Sequence, residues 1–210
     1  MNIERIYVQF GSGPSGPKSW RNFDSSPTLR FERIPLLGKI YTKNKSRFSR
    51  NIEYGDIIKG LPFPSNSVHG IYASHVLEHL ALNDFRIALR NTFNILRPNG
   101  IFRLVVPDLE LYARNYISSD DPLAAVAFMK STSLGITTRT KTFFGFCKSW
   151  LGNSGHLSMW DFNSLKYELL SAGFTNIRRC SYGDSEDRMF DEVDDLSRFI
   201  DSVGIECRKP

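Results

Sequence analysis

From Asn83 to Asp108 the chain writes a helix and a strand back to back. Phe85, Ala88, Leu89, Thr92, Phe93 and Leu96 recur at i, i+3, i+4, i+7, i+8 and i+11, which is one face of a helix. Pro98-Asn99-Gly100 stops it. The next eight residues, IFRLVVPD (101–108), are nearly all apolar, as in a strand buried on both faces. The same alternation runs through the rest of the chain. RIYVQF (5–10), RNFD (21–24), NIEYGD (51–56) and SVHGIYASHV (67–76) are predicted strands, with a helical turn at LEHL. A helix is expected over 109–117 with Asp108 as its cap. Another follows Asp161, with Phe162, Leu165, Leu169 and Ala172 inward and Gly173 just past its end. NIRRCSYG (176–183) and SVGIECRKP (202–210) close the chain as an antiparallel edge hairpin. The expected fold is α/β: a mostly parallel sheet with helices on both faces. Such sheets bind ligands outside the carboxyl ends of their strands. Gly11, Asp24, Asp56, Ser74 and Asp108 all fall at such ends.

The 210 residues suffice for one domain with a substantial core, and 41% apolar with 23% charged residues is ordinary for a soluble globular protein. No apolar run approaches the roughly 18 residues of a membrane span, and no signal-peptide core follows Met1–Arg5. Cys147, Cys180 and Cys207 are odd in number and far apart. They suggest reduced thiols in a cytosolic compartment and no metal site. The formal charge of +5 is unevenly spread. Arg33, Lys39, Lys43, Lys45, Arg47 and Arg50 share a stretch without an acid, whereas Asp184, Glu186, Asp187, Asp191, Glu192, Asp194 and Asp195 cluster near the other end. Both stretches read first as solvated surface.

The loop after the first strand, Gly11-Ser12-Gly13-Pro14-Ser15-Gly16, matches the G-x-G-x-x-G pattern of dinucleotide sites. That pattern works by opening a helix whose N-terminal amides hold a pyrophosphate. Only seven residues separate Gly16 from Asp24, two of them Pro17 and Trp20. A crossover helix needs about ten residues or more, so none fits, and NAD is disfavoured. S-adenosylmethionine has a ribose and an adenine but no phosphate. It asks for close backbone approach, which Gly11 and Gly13 supply. It also asks for a carboxylate to accept from the ribose diol, supplied by Asp24, and an acceptor for the adenine amino group, supplied by Asp56 with Ile57 against the ring. Gln9, Phe10, Ser12 and Ser25 flank these positions, and Ser74 and His75 border the methionyl end.

The run YGDIIKGLPFPSNSVHGIYASHVLEHL resembles the signature of class I S-adenosylmethionine-dependent methyltransferases of the type 11 group. LRNTFNILRPNGIFRLVVPDLE is similar to the group's helix, R-P-x-G turn and fifth strand. GHLSMWDFNSLKYELLSAGFTNIRR and the short GSGPSGPKSWRNFD connection resemble a subgroup often encoded beside surface-polysaccharide genes. The resemblance implies a seven-stranded Rossmann-like sheet of order 3-2-1-4-5-7-6, S-adenosylmethionine as cofactor, and methyl transfer to an oxygen or nitrogen of a small molecule or glycan. Gln9 stands where the group usually has an acid, which weakens its hold on an ammonium.

A hydroxyl acceptor benefits from a general base, and His156, Asp108 and His79 are the candidates. Trp160 reads as packing ahead of acceptor stacking. Residues 119–160 are expected to cover the acceptor as a cap, with 33–50 as a second wall able to hold an anionic glycan or to lie on the inner membrane surface. Two rival readings stand beside this one. The first is a nucleic-acid methyltransferase or binding module using the basic stretch. The second is a cofactor-binding protein without catalysis.

Overall fold

The computed structural model describes residues 5–14, 16–35, 46–135 and 155–210. Strands β1 (Tyr7–Phe10), β2 (Arg21–Asp24), β3 (Ile52–Tyr54), β4 (Val68–Ser74), β5 (Leu96–Pro107), β6 (Thr175–Cys180) and β7 (Ser202–Arg208) form one sheet, ordered β3-β2-β1-β4-β5-β7-β6. β1 to β5 pair in parallel, and β7 runs antiparallel to β5 and β6. The order implied by the family resemblance is the order observed.

Alternation along the strands divides the core into two layers. Val8, Phe10, Ile71, Ala73, Phe102, Leu104 and Val106 share one layer with Phe85, Ala88 and Leu89 of helix α2 (Leu82–Ile95). Leu165 and Leu169 of the helix Phe162–Ser171 complete it. Each side chain of this size stabilises the fold by about 1.5–3 kcal/mol when fully buried. Trp160 is 6% exposed and stacks on Phe85 at 4.2 Å between ring centroids, so the packing reading of Trp160 holds. On the opposite layer Tyr7, Tyr72, Ile101 and Val105 meet Trp20 and Phe190, and short segments do the covering there.

The β1–β2 connection is the unusual joint. Parallel neighbours ordinarily need a dozen or more residues between them, yet none of the described residues of 11–20 is helical. Asn22, buried in β2, replaces the helix as an anchor. Its Nδ2 donates to the carbonyls of Pro17 and Trp20, both at 2.8 Å, and folds the loop back on the strand.

Most of the acidic stretch near the C-terminus is exposed as expected (Asp184, Glu186, Asp191, Glu192 and Asp195), but two of its members also turn to a buried cation. Arg103 of β5 is fully buried, and Asp184, Asp194 and Glu206 are its counter-ions. Its guanidinium donates to both oxygens of Asp194 at 3.1 and 2.7 Å, to Asp184 at 3.0 Å, to Glu206 at 3.1 Å and to the Ser181 carbonyl at 2.6 Å. Burial opposes the charge, but the Asp194 and Asp184 carboxylates outweigh it and hold Arg103 above its ordinary pKa. Asp187 accepts from Tyr7 Oη, and Asp195 caps the turn Leu196–Phe199.

Helix α1 (Pro27–Glu32) was not foreseen, although Ser26 caps it and Pro27 opens it. Helix α3 (Leu109–Ile117) has the expected bounds. Within 119–160, helix α4 (Ala124–Ser131) packs on α3 through Tyr116 and Phe128. Residues 136–154, with Cys147, lie outside the described residues, as do Lys39, Lys43 and Lys45 of the basic stretch. Arg33 is described, and it donates to the carbonyls of Ser49 and Ile52 at 2.8 and 2.9 Å. Cys180 and Cys207 are free and buried, and burial pushes the Cys180 thiol up to about 12. No helix among the described residues is long and apolar enough to cross a membrane.

Candidate functional site

Strand register sets the floor of the site. Gln9 stands beside Asn22 on one side and Tyr72 on the other. With a period of two along each strand, Gln9, Asp24 and Ser74 therefore share one face at the carboxyl ends of β1, β2 and β4. The Gln9 Oε1 and Ser74 Oγ atoms are buried without a hydrogen-bond partner. Buried polar atoms are nearly always paired, so orphans gathered at strand ends mark a place for a ligand.

Asp24 organises the loop above that floor. It is 8% exposed, accepts from the Gly13 amide through Oδ2 at 3.1 Å and from the Ser26 amide through Oδ1 at 2.8 Å. A carboxylate has about four acceptor positions, so two remain for hydroxyls. Ser25 lies between these two bonded residues in sequence. Ser12 donates its amide to the Phe23 carbonyl at 3.1 Å, and Phe10 is sealed in the core at 2% exposure.

The two loop glycines have different reasons. A Cβ on Gly11 would lie 2.0 Å from Val76 Cγ2, so Gly11 is small because the segment after β4 packs on it. A Cβ on Gly13 would meet nothing within 4 Å, while its φ of +67° is left-handed. Gly13 is thus the open position that a ligand can approach.

Asp56 accepts from the Ile58 amide through Oδ1 at 3.0 Å, with Lys59 Nζ 4.0 Å from Oδ2. Ile57 is 5% exposed and belongs to the main core, so little of it faces outward.

After Ser74 the backbone reverses at His75, whose φ is +53°. This turns His75 toward Glu78, with Nδ1 3.4 Å from Glu78 Oε1 and Nε2 2.9 Å from the Arg198 carbonyl. Those partners raise the His75 pKa against the burial that lowers it. His79 and His156 join the same group. Their Nε2 atoms lie 3.9 and 4.0 Å from Glu78 Oε1, and their rings meet edge to face at 5.0 Å. The His156 pKa is lowered, chiefly by burial. The amides of Leu157 and Ser158 both donate to the Glu78 carbonyl at 2.9 and 3.0 Å, which ties the His156 segment to this turn.

Asp108 stands apart. It caps α3 by accepting from the Glu110 amide at 3.0 Å and sits 3.9 Å from Arg179. No hydrogen bond or ion pair joins it to the histidines among the described residues. Of the three candidate bases, His79 and His156 come together and Asp108 does not. Glu78, which was not among the candidates, is the centre of the group. The sequence signal was the H-x-x-E-H spacing, in which the left-handed His75 precedes the short 3-10 turn Leu77–His79.

Comparison with known proteins bears on the fold. Residues 38–104 match the methyltransferase domain family. No curated protein matches the chain. Among solved structures, the complex of the Haloferax volcanii Trm112 methyltransferase activator with a candidate methyltransferase is similar at 14% identity and TM-score 0.53, over 99% of this chain and 82% of that one. A Thermotoga maritima S-adenosylmethionine-dependent methyltransferase, a candidate histamine N-methyltransferase, is similar at 13% identity and TM-score 0.53, over 98% and 82%. PigF with S-adenosylhomocysteine is similar at 15% identity and TM-score 0.51, over 98% of this chain and 50% of that one. At these identities the structures share the fold. Taken with the domain match over residues 38–104, the shared fold supports an enzyme of the methyltransferase type.

Proposed function

We propose that the enzyme methylates an oxygen or nitrogen of a small molecule or glycan, with the donor held at the carboxyl ends of β1, β2 and β4. In this reading Gln9, Phe10, Gly11, Ser12 and Gly13 border the methionyl arm, with Ser74 and His75 at its far side. Asp24 and Ser25 take the ribose, and Asp56 with Ile57 takes the adenine edge. The observation that carries it is Asp24, a buried carboxylate that pins Gly13 and keeps acceptor positions free beside an open left-handed glycine.

S-adenosylmethionine supplies an electrophilic methyl group on a sulfonium. The protein's own work is alignment and exclusion of water. When the acceptor is a hydroxyl, an O–CH3 bond forms, the S–CH3 bond breaks, and the hydroxyl proton needs a destination. The Glu78–His79–His156 group follows directly on β4 and is the polar wall nearest the donor's methionyl end. We assign the acceptor to that side. The polysaccharide setting rests on the resemblance of the C-terminal motif, and contact of 33–50 with an anionic glycan or membrane surface rests on charge alone. The test is a screen of methyl transfer across glycans and hydroxylated small molecules, with the new methyl located by fragmentation mass spectrometry. A methylated glycan supports the reading. Methylation of nucleic acid alone would replace it.

A further inference from the structure

The Glu78 side chain is 1% exposed, and apart from His75 Nδ1, 3.4 Å from Oε1, no hydrogen-bond donor among the described residues reaches its carboxylate. A buried carboxylate so weakly partnered is disfavoured. Three imidazole nitrogens surround Oε1: His75 Nδ1 at 3.4 Å, His79 Nε2 at 3.9 Å and His156 Nε2 at 4.0 Å. The outer nitrogens of two of these rings face carbonyls, His75 Nε2 to Arg198 and His79 Nδ1 to Gly155 at 3.1 Å. A carbonyl only accepts, so those outer nitrogens carry the proton. In the neutral rings the inner nitrogens of His75 and His79 are then lone pairs aimed at an anion. Such a centre calls for a cation.

We propose that Glu78, His79 and His156 bind a divalent transition-metal ion, with His75 Nδ1 as the nearest further donor. One ligand atom from each of Glu78, His79 and His156 lies within 4.8 Å of the others. A tetrahedral ion with bonds of about 2.1 Å holds its ligands about 3.4 Å apart, so the histidines must close on Glu78 by roughly half an ångström and the widest pair by up to about 1.4 Å. The outer-shell bond from His79 to the Gly155 carbonyl is the kind that orients a metal-bound histidine. Two imidazoles with one carboxylate favour zinc, cobalt or ferrous iron over magnesium or calcium. This departs from the expectation of no metal site, which considered only the cysteines. Ion binding stands on these residues alone. Its role rests on the methyl-transfer reading: an ion here would take an acceptor hydroxyl and ease loss of its proton.

The test uses the full chain, stripped with a chelator and dialysed against Zn2+, Co2+ or Mg2+, with bound metal measured by elemental mass spectrometry. Stoichiometric Zn2+ and Co2+ with little Mg2+ is expected, and Co2+ should show the visible bands of a nitrogen–oxygen site. Both His156→Ala and the isosteric Glu78→Gln should weaken Co2+ binding by at least about 10–100-fold, the loss typical of outer-shell changes alone. Far-UV circular dichroism should be unchanged in both variants, which shows them folded, and calorimetric binding of S-adenosylhomocysteine to the metal-free wild type separates this claim from the donor site. No stoichiometric metal on the wild type, or retention unchanged by both substitutions, overturns the proposal and leaves Glu78 paired with protonated histidines.

Discussion

The Gly13 amide donates to Asp24 Oδ2 at 3.1 Å, and this bond joins the loop after β1 to the end of β2. It does for a ten-residue connection what a crossover helix does elsewhere: it fixes the loop's height above the sheet.

Asp24→Ala removes the acceptor of both the Gly13 and Ser26 amides and the proposed partner of the ribose. Hydrogen bonds to a charged group contribute about 1.5–3 kcal/mol, so affinity for S-adenosylhomocysteine should fall roughly 10–100-fold. Isothermal calorimetry measures it, and unchanged affinity would remove Asp24 from the site.

The two glycines should separate by readout. Gly11→Ala places a methyl on Val76, and overpacking of this kind costs about 1–3 kcal/mol of stability, on top of about 1–2 kcal/mol for its own left-handed backbone at φ +65°. The double substitution with Val76→Ala should recover part of that loss in chemical denaturation. Gly13→Ala meets open space, so its cost is the left-handed backbone, about 1–2 kcal/mol, together with weaker donor binding.

Arg103→Met should be among the most destabilising single changes. It leaves the buried Asp194 without its cation, while Glu206 keeps Arg178 at 2.7 Å, and breaking a buried pair typically costs about 3–5 kcal/mol. Urea denaturation measures the loss. A change within the range of a surface substitution would mean that the acids are solvated after all.

Asp161 and Ser164 form a reciprocal cap on the helix Phe162–Ser171. Asp161→Ala should cost about 1 kcal/mol at neutral pH. Hydrogen bonds from Ser164 hold the Asp161 carboxyl below its ordinary pKa. Its contribution is therefore present above the unfolded-state pKa and lost as pH falls through the lower folded value. Stability curves of wild type and variant should converge at acid pH.

The sheet was legible because its strands are short, apolar and closed by turn residues, and because RNFD and IFRLVVPD end on acids at the binding edge. Bounds were less so. The Arg97-Pro98-Asn99-Gly100 turn is a kink within β5, with Asn99 in the left-handed conformation. Helix α4 has no side-chain cap to announce it, whereas the Ser26-Pro27 signal of α1 was present and passed over. The pairing of Asp184 and Asp194 was missed because composition does not reveal a buried counter-ion, and Arg103 sits in an otherwise apolar strand. The histidine group was legible only in half. H-x-x-E-H brings three of the residues together locally, but the approach of His156 depends on the folding of a distant segment.

The most direct check of the donor site is a crystal structure of the enzyme with S-adenosylhomocysteine. The expected result is the ribose hydroxyls on Asp24 and the homocysteine arm over Gly13 beside Gln9. The product bound elsewhere, with these strand ends bare, would contradict the assignment.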